Sequence, residues 1–190
     1  MARTREFKID DVLNQAMEAF WKRGYAATSM ADIYDATGLK PGSLYAAFKD
    51  KEELFRRCFE TYASHFRATL PQDRSGLAAI EAWLMLQAKL AADDPERKGC
   101  LIINTVTERD IHSAATRALA SGRLQEIRDF FTRHLALAVA AGEVQKNVAV
   151  EVHADALLGA VVGIMALGRA GADKRLIDNV ARAAFASLPA

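Results

Sequence analysis

AATSMADIYDATGLKPGSLYAAFKDKEELF, residues 26–55, is the stretch whose reading decides the fold. Thr28 or Ser29 can cap a helix start with a side-chain oxygen, and Asp32 adds favourable charge in the first turn. The spacing predicts a short helix over about 29–36. Gly38 breaks it, because glycine enters positive φ at low cost. Lys40-Pro41-Gly42-Ser43 restarts the chain, and proline suits a first helical turn, where its missing N–H has no partner to lose. The restarted helix spans about 41–48. Two short helices joined by a brief turn containing glycine form a helix-turn-helix.

Helices shorter than about 12 residues are marginal alone, so this pair needs a third wall. The residues just upstream supply one. Val12, Leu13, Ala16, Met17, Phe20 and Trp21 recur on one face of an amphipathic helix over roughly 9–23. Asp10 or Asp11 is expected to cap it and Gly24 to end it. Met30, Ile33, Leu39, Leu44, Tyr45 and Phe48 are expected to pack against Val12, Ala16 and Phe20. Asp50 opens a longer helix with the apolar face Leu54, Phe55, Cys58, Phe59, Tyr62 and Phe66, running to about Leu70 before Pro71. PQDRSG is the clearest linker, so the chain divides into a helix-turn-helix head at 1–50, a linking helix at 50–70 and a second helical module at 71–190.

The second module reads as helices over about 76–92, 112–141, 150–169 and 173–187. Gly122 is a candidate kink in the longest, which Gly142 ends. DDPERKG is a loop, and CLIINTVTE is a short buried helix or, given its β-branched residues, a strand. The fold class is therefore all-α, with about nine helices.

Composition limits function. The 190 residues carry 25 Lys+Arg against 24 Asp+Glu, a net charge of +1, and 51% are hydrophobic, which argues for a globular chain and against indiscriminate coating of nucleic acid. Residues 1–51 hold eight basic and seven acidic side chains, so even the head is nearly neutral. Cys58 and Cys100 make no disulfide framework, which fits a reducing cytoplasm. No uninterrupted apolar stretch reaches ~18 residues, and MARTREFKID lacks the apolar core of a signal peptide, so no membrane partner is expected. His65, His112, His134 and His153 are scattered; H-E-x-x-H, a P-loop and the dinucleotide-binding glycines are absent, and KPGSLY is not a nucleophile turn. No catalytic residue, metal site or cofactor is expected.

Phe20, Gly24, Thr28, Ile33, Ala36, Gly38, Gly42, Ser43, Leu44, Tyr45, Phe48, Lys51, Glu52, Glu53 and Leu54 together resemble the TetR family of one-component bacterial transcription regulators. Tyr34 departs from the pattern, standing where a small residue is common. The resemblance covers roughly residues 10–58 and implies a DNA-binding head above a helical sensor, a double-stranded operator as partner, an effector pocket and a homodimer. A recognition helix presents its N-terminal residues to the major groove. Thr28, Lys40, Pro41, Gly42, Ser43, Tyr45, Lys49 and Lys51 are the expected DNA-binding residues, with Arg3 and Arg5 as a basic arm. Trp83, Leu86, Cys100, Asn104, Thr107, Phe130, His134 and Met165 are expected to line an effector site. Cys100, at a helix start beside Arg97 and Lys98, is a candidate thiolate for an electrophile. Ala156, Gly159, Ala160, Gly163, Leu176, Val180 and Ala184 are expected to form a two-fold, four-helix interface. The reading is a repressor bound to a palindromic operator and released by a small molecule or electrophile; the alternative is a helical adaptor that reads no operator.

Overall fold

Residues 8–189 are described by a computed structural model. Arg3 and Arg5, the expected basic arm, lie outside them. Among the described residues there are nine α-helices and one short 3₁₀ turn, and no strand. The helices are α1 (Ile9–Arg23), α2 (Met30–Thr37), α3 (Pro41–Ala47), α4 (Lys51–Arg67), α5 (Gly76–Asp93), α6 (Leu101–Thr107), α7 (Ala114–Ala141), α8 (Val150–Ala170) and α9 (Lys174–Ala186).

Local chemistry sets most of the boundaries. Gly38 closes α2 in the left-handed conformation at φ 65°, with its N–H on Tyr34 O at 2.8 Å. The Asp50 carboxylate caps α4 by accepting from Glu53 N at 2.8 Å. One expectation is corrected and one choice is decided. Lys8, not Asp10 or Asp11, is the N-cap of α1; the two aspartates lie in its first turn and act through the helix dipole. The CLIINTVTE segment is helical, because it docks between α4 and α7 with no strand beside it to pair with. Gly122 does not interrupt α7, whose start is instead set by Ser113 accepting from Thr116 N at 3.2 Å.

The head closes around Phe20 and Phe55, whose rings meet edge to face at 5.1 Å, with Ile33, Leu44 and Phe48 buried around them. Burying a side chain of this size contributes roughly 1.5–3 kcal/mol, which is how α2 and α3 persist at eight and seven residues. In the second module α7 packs on α8, and α5 packs on α7, α8 and α9. Gly168 lets α8 approach α5 closely: a Cβ there would sit 2.8 Å from Ala91 O.

The module meets the head through α1, α4 and the loop between α5 and α6. The Trp21 indole N–H donates to Gly99 O at 3.0 Å. Lys98 Nζ pairs with Glu18 at 2.9 Å and lies 4.4 Å from the Trp21 ring centre, while Lys22 pairs with Glu96. Asn104 and Arg169 both donate to Lys98 O, holding the loop from its far side.

Candidate nucleic-acid interface and effector cavity

The turn into α2 orders the interface. Ser29, not Thr28, is its N-cap: Ser29 Oγ accepts from Asp32 N at 3.1 Å, and the Asp32 carboxylate accepts from Ser29 N at 2.8 Å. These bonds from Ser29, with Arg23 alongside, pull the Asp32 carboxyl down to about 2. Thr28 is fully buried, and its hydroxyl donates to Gly24 O at 2.8 Å and Ala19 O at 3.3 Å. Its expected contact with phosphate is therefore corrected: the side chain faces inward and its proton is engaged.

Pro41 opens α3, and Leu44 and Phe48 root it in the core. Lys40, Pro41, Gly42, Ser43, Tyr45 and Lys49 all stand exposed on or beside it. An added Cβ at Gly42 would meet nothing within 4 Å, so the first turn presents a slim, open surface. Tyr45, expected partly in the head core, is 52% exposed instead. Its phenol neighbours Tyr34, and the interaction between the two phenols raises the Tyr34 pKa.

Lys51 is a second correction. Its ammonium donates to Tyr25 O at 2.7 Å and lies 4.3 Å from the Tyr25 ring centre. The half-buried side chain is a clamp inside the head, and desolvation lowers its pKa. The positive charges presented beside α3 are Lys40 and Lys49.

Glu52, one of the motif residues, joins the two modules. Its carboxylate accepts from Ser113 N at 3.2 Å and Thr116 Oγ1 at 2.5 Å, tying the start of α4 to the start of α7. Burial pushes its carboxyl up, but the hydrogen bonds from Ser113, Thr116 and Tyr25 outweigh burial and hold it at about 2, from an ordinary 4.5. A depressed folded-state value means stability that is present above the unfolded pKa and lost as pH falls through about 2. Glu52→Gln is therefore expected to lower stability at pH 7 by ~1 kcal/mol, allowing for solvent screening at this partly open site. The variant should also flatten the loss of stability between pH 4.5 and pH 2. Urea melts across that range check it; parallel curves for the two proteins would overturn it. Next to this tie, His112 is buried between the Tyr25 and Phe55 rings, 4.8 and 5.0 Å away, and desolvation lowers its pKa.

A cavity of about 420 Å³ opens where α1, α4, α5, α8 and the α5–α6 loop converge. Of the expected effector residues only Met165 lines it. The others lie elsewhere. Trp83 is fully buried, donates to Thr69 Oγ1 at 3.1 Å and packs against Phe66, Phe130 and Phe131, so it is core. Leu86 packs beside that core. Phe130 and His134 pair at 4.6 Å within the same interior, and burial lowers the His134 pKa. Asn104 braces the loop, and the Thr107 hydroxyl bonds back to Ile103 O and Asn104 O. Cys100 is the N-cap of α6, but it is 1% exposed, Lys98 is engaged with Glu18 and Glu96, and burial pushes the thiol pKa up. The thiolate expectation fails because desolvation outweighs the helix start.

The cavity is lined instead by Trp21, Tyr62, Phe66 and Gln87, among others. Periodicity places Trp21, Tyr62 and Phe66 on apolar faces. It carries no sign that the faces of two distant helices leave a space between them.

The face of α8 opposite the core is open. Ala156 and Gly159 are exposed, Ala160 and Gly163 half-exposed, and Val152 on the same stripe is 64% exposed. An added Cβ at Gly159 or Gly163 would meet nothing within 4 Å. On α9, Leu176 is 45% exposed, and Val180 and Ala184 are half-buried. By length and composition alone α8 is long and apolar enough to cross a membrane, a test that a core helix of a helical bundle also passes. Among the described residues, no group of three or more His, Cys, Asp or Glu side chains could hold a metal ion.

A slim exposed helix on a three-helix head, carried by a helical bundle with a cavity between the two, defines the architecture of a helix-turn-helix regulator. Residues 12–58 match the bacterial regulatory proteins of the tetR family, and residues 76–184 match the tetracyclin repressor-like C-terminal domain. The chain belongs to the TetR family. It is 36% identical over 110 residues to the HTH-type transcriptional repressor ComR of Escherichia coli, a match covering 55% of this chain and 52% of ComR. The chain thus spans about half the length of that relative. Similarity to the HTH-type transcriptional regulator TtgR of Pseudomonas putida is 27% over 160 residues, 81% of this chain and 76% of TtgR. Among solved structures, a cysteine mutant of the TetR family regulator CifR, complexed with a 26 bp double-strand operator, superposes with a TM-score of 0.88 at 26% identity, covering 99% of this chain and all of that one.

Proposed function

We propose that the protein is a cytoplasmic, dimeric transcriptional repressor that binds a palindromic operator through α3 and is released by a small molecule bound in its sensor module. The carrying observation is α3 itself. Lys40, Pro41, Gly42, Ser43, Tyr45 and Lys49 are exposed together on a helix whose buried side, Leu44 and Phe48, fixes it to the head. Lys40 and Lys49 suit phosphates, while Gly42, Ser43 and Tyr45 suit close approach to base edges. Residues 1–50 act as the head, 50–70 as the linking helix, and 71–190 as the effector and dimerisation module.

The open stripe Ala156, Gly159, Ala160 and Gly163, with Leu176, Val180 and Ala184 of α9, supports a two-fold interface of four helices. A pair of heads on a two-fold axis reads half-sites about 34–36 Å apart or a multiple of that. An effector changes operator affinity only through its different affinities for the two sensor arrangements. The loop from Asp94 to Cys100 provides a route, since it is bonded to α1 on one side and to Asn104 and Arg169 on the other.

Selection of bound fragments from the source genome, followed by footprinting, tests the reading. One enriched sequence with two symmetric protected half-sites is expected, and its binding should weaken steeply with salt as phosphate contacts displace counterions. No enriched sequence, or an affinity indifferent to salt, would overturn it.

A further inference from the structure

Gln87 lies on α5, is 1% exposed, and lines the cavity between the head and the second module. Neither its amide oxygen nor its amide nitrogen has a hydrogen-bond partner among the described residues. An unpaired buried polar group costs about 1–3 kcal/mol, and here a donor and an acceptor are left unpaired on one planar group. Two polar neighbours in the cavity are already engaged with the protein. The Thr69 hydroxyl donates to Phe66 O at 2.7 Å and accepts from Trp83, and the Trp21 N–H is on Gly99 O.

The charges around the cavity are likewise matched. Lys98 pairs with Glu18, Lys89 pairs with Asp93 at 2.9 Å, and the Asp94 carboxylate accepts from the backbone N–H groups of Glu96 and Lys98. A charged ligand would have to break one of these pairs. Much of the remaining wall is aromatic: Trp21 and Tyr62 meet edge to face at 4.9 Å, and Phe66 follows Tyr62 one turn along α4. Aromatic walls of this kind favour flat partners. A volume of about 420 Å³ holds a two-ring compound with room for a substituent.

We propose that this cavity binds an uncharged, flat aromatic compound with an adjacent N–H and C=O, as in a lactam or carboxamide, and that Gln87 recognises that pair through two complementary hydrogen bonds. The inference rests on reading the cavity as the effector site, and it identifies the class of effector. Both amide atoms of Gln87 are buried on the cavity wall, so a ligand meets them once the side chain or its neighbours shift. Trp21 belongs to the head, so a ligand seated here touches α1 directly and competes with the Trp21–Gly99 bond that ties α1 to the loop.

The experiment is isothermal titration of the full chain with quinolin-2(1H)-one, a two-ring lactam, and with its N-methyl derivative, which lacks the donor. Binding of the lactam is expected, with affinity at least about tenfold weaker after N-methylation. Gln87→Leu, similar in size and without polar atoms, should lose about tenfold in lactam affinity while its Tm stays level or rises, because two unsatisfied atoms have gone. A lower Tm with unchanged lactam affinity would make Gln87 a structural residue and overturn the proposal. So would no binding of the lactam, or equal binding of the two compounds. Operator affinity is measured separately on the same preparations. Operator binding without lactam binding would overturn the ligand class and leave the regulator standing, and lactam binding without any operator would do the reverse.

Discussion

Gly163→Arg is expected to leave the protomer folded and to cut operator affinity by roughly 100-fold or more. The protomer tolerates the change because an added Cβ at Gly163 would meet nothing within 4 Å and the position is half-exposed. In the proposed two-fold interface the arginine would reach into the partner's helices, and the symmetry would place it there twice, so two long charged side chains would occupy the space where two backbones are expected to approach. The large effect follows from valency. Two linked heads bind their half-sites as one event, and the second contact forms at the high effective concentration set by the first. A separated protomer retains one head and only its intrinsic affinity. Sedimentation and operator titration check the expectation together. A monomer with undiminished affinity would remove the dimer from the mechanism, and a dimer that persists would move the interface off this face of α8. Gly168→Arg is the informative contrast: a Cβ there sits 2.8 Å from Ala91 O, so that variant should fail in folding and not in assembly.

The second large effect is at α3. Tyr45→Ala should reduce operator affinity by about 30-fold or more, because a base or phosphate contact contributes roughly 1–3 kcal/mol and the dimer makes each contact twice. Its stability should change little, since the ring is 52% exposed and the helix is anchored by Leu44 and Phe48. Lys51→Ala is predicted to behave differently. It removes the bond to Tyr25 O and the charge over the Tyr25 ring, so it should lower Tm first and weaken operator binding only through the head's stability. Titrations at fixed salt, with thermal melts of the same samples, separate the two. Undiminished affinity in Tyr45→Ala, or a greater loss in Lys51→Ala than in Tyr45→Ala at full stability, would reverse the assignment of the two residues.

That contrast shows where residue order stops being informative. Tyr45 and Lys51 both flank the end of a short helix in sequence, and both are chemically suited to DNA. Lys51 turns inward because Tyr25, 26 residues away along the chain, presents a carbonyl and a ring at the right place. Thr28 and Ser29 are adjacent and similar in chemistry. The one that caps α2 is fixed by its phase relative to Asp32, while the other falls into the head beneath Gly24 and Ala19. Cys100 sits at a helix start near basic residues, as its neighbours in sequence suggest, yet its burial comes from packing against elements remote in sequence.

The cavity was still less legible. Trp83, Phe130 and His134 carry the signature of either a ligand wall or a core, and periodicity treats the two alike. They became core because their rings fill one another's space at 4.6 to 5.5 Å. The opening formed instead beside Trp21, whose partner Gly99 is 78 residues distant.

By itself the sequence determined the all-helical fold, the short helix pair at 30–37 and 41–47, the glycines and caps that bound them, and the small-residue stripe on α8. These are local properties: a helical period, a positive φ or a cap is decided within a turn or two of the residue concerned. Only the tertiary structure decided which polar side chains remain available, that Glu52 ties α4 to α7, and that the cavity lies between the head and the second module with Gln87 unpaired on its wall. Availability and emptiness depend on which distant surfaces meet and how well they fill the space between them, and no spacing along one chain segment records that.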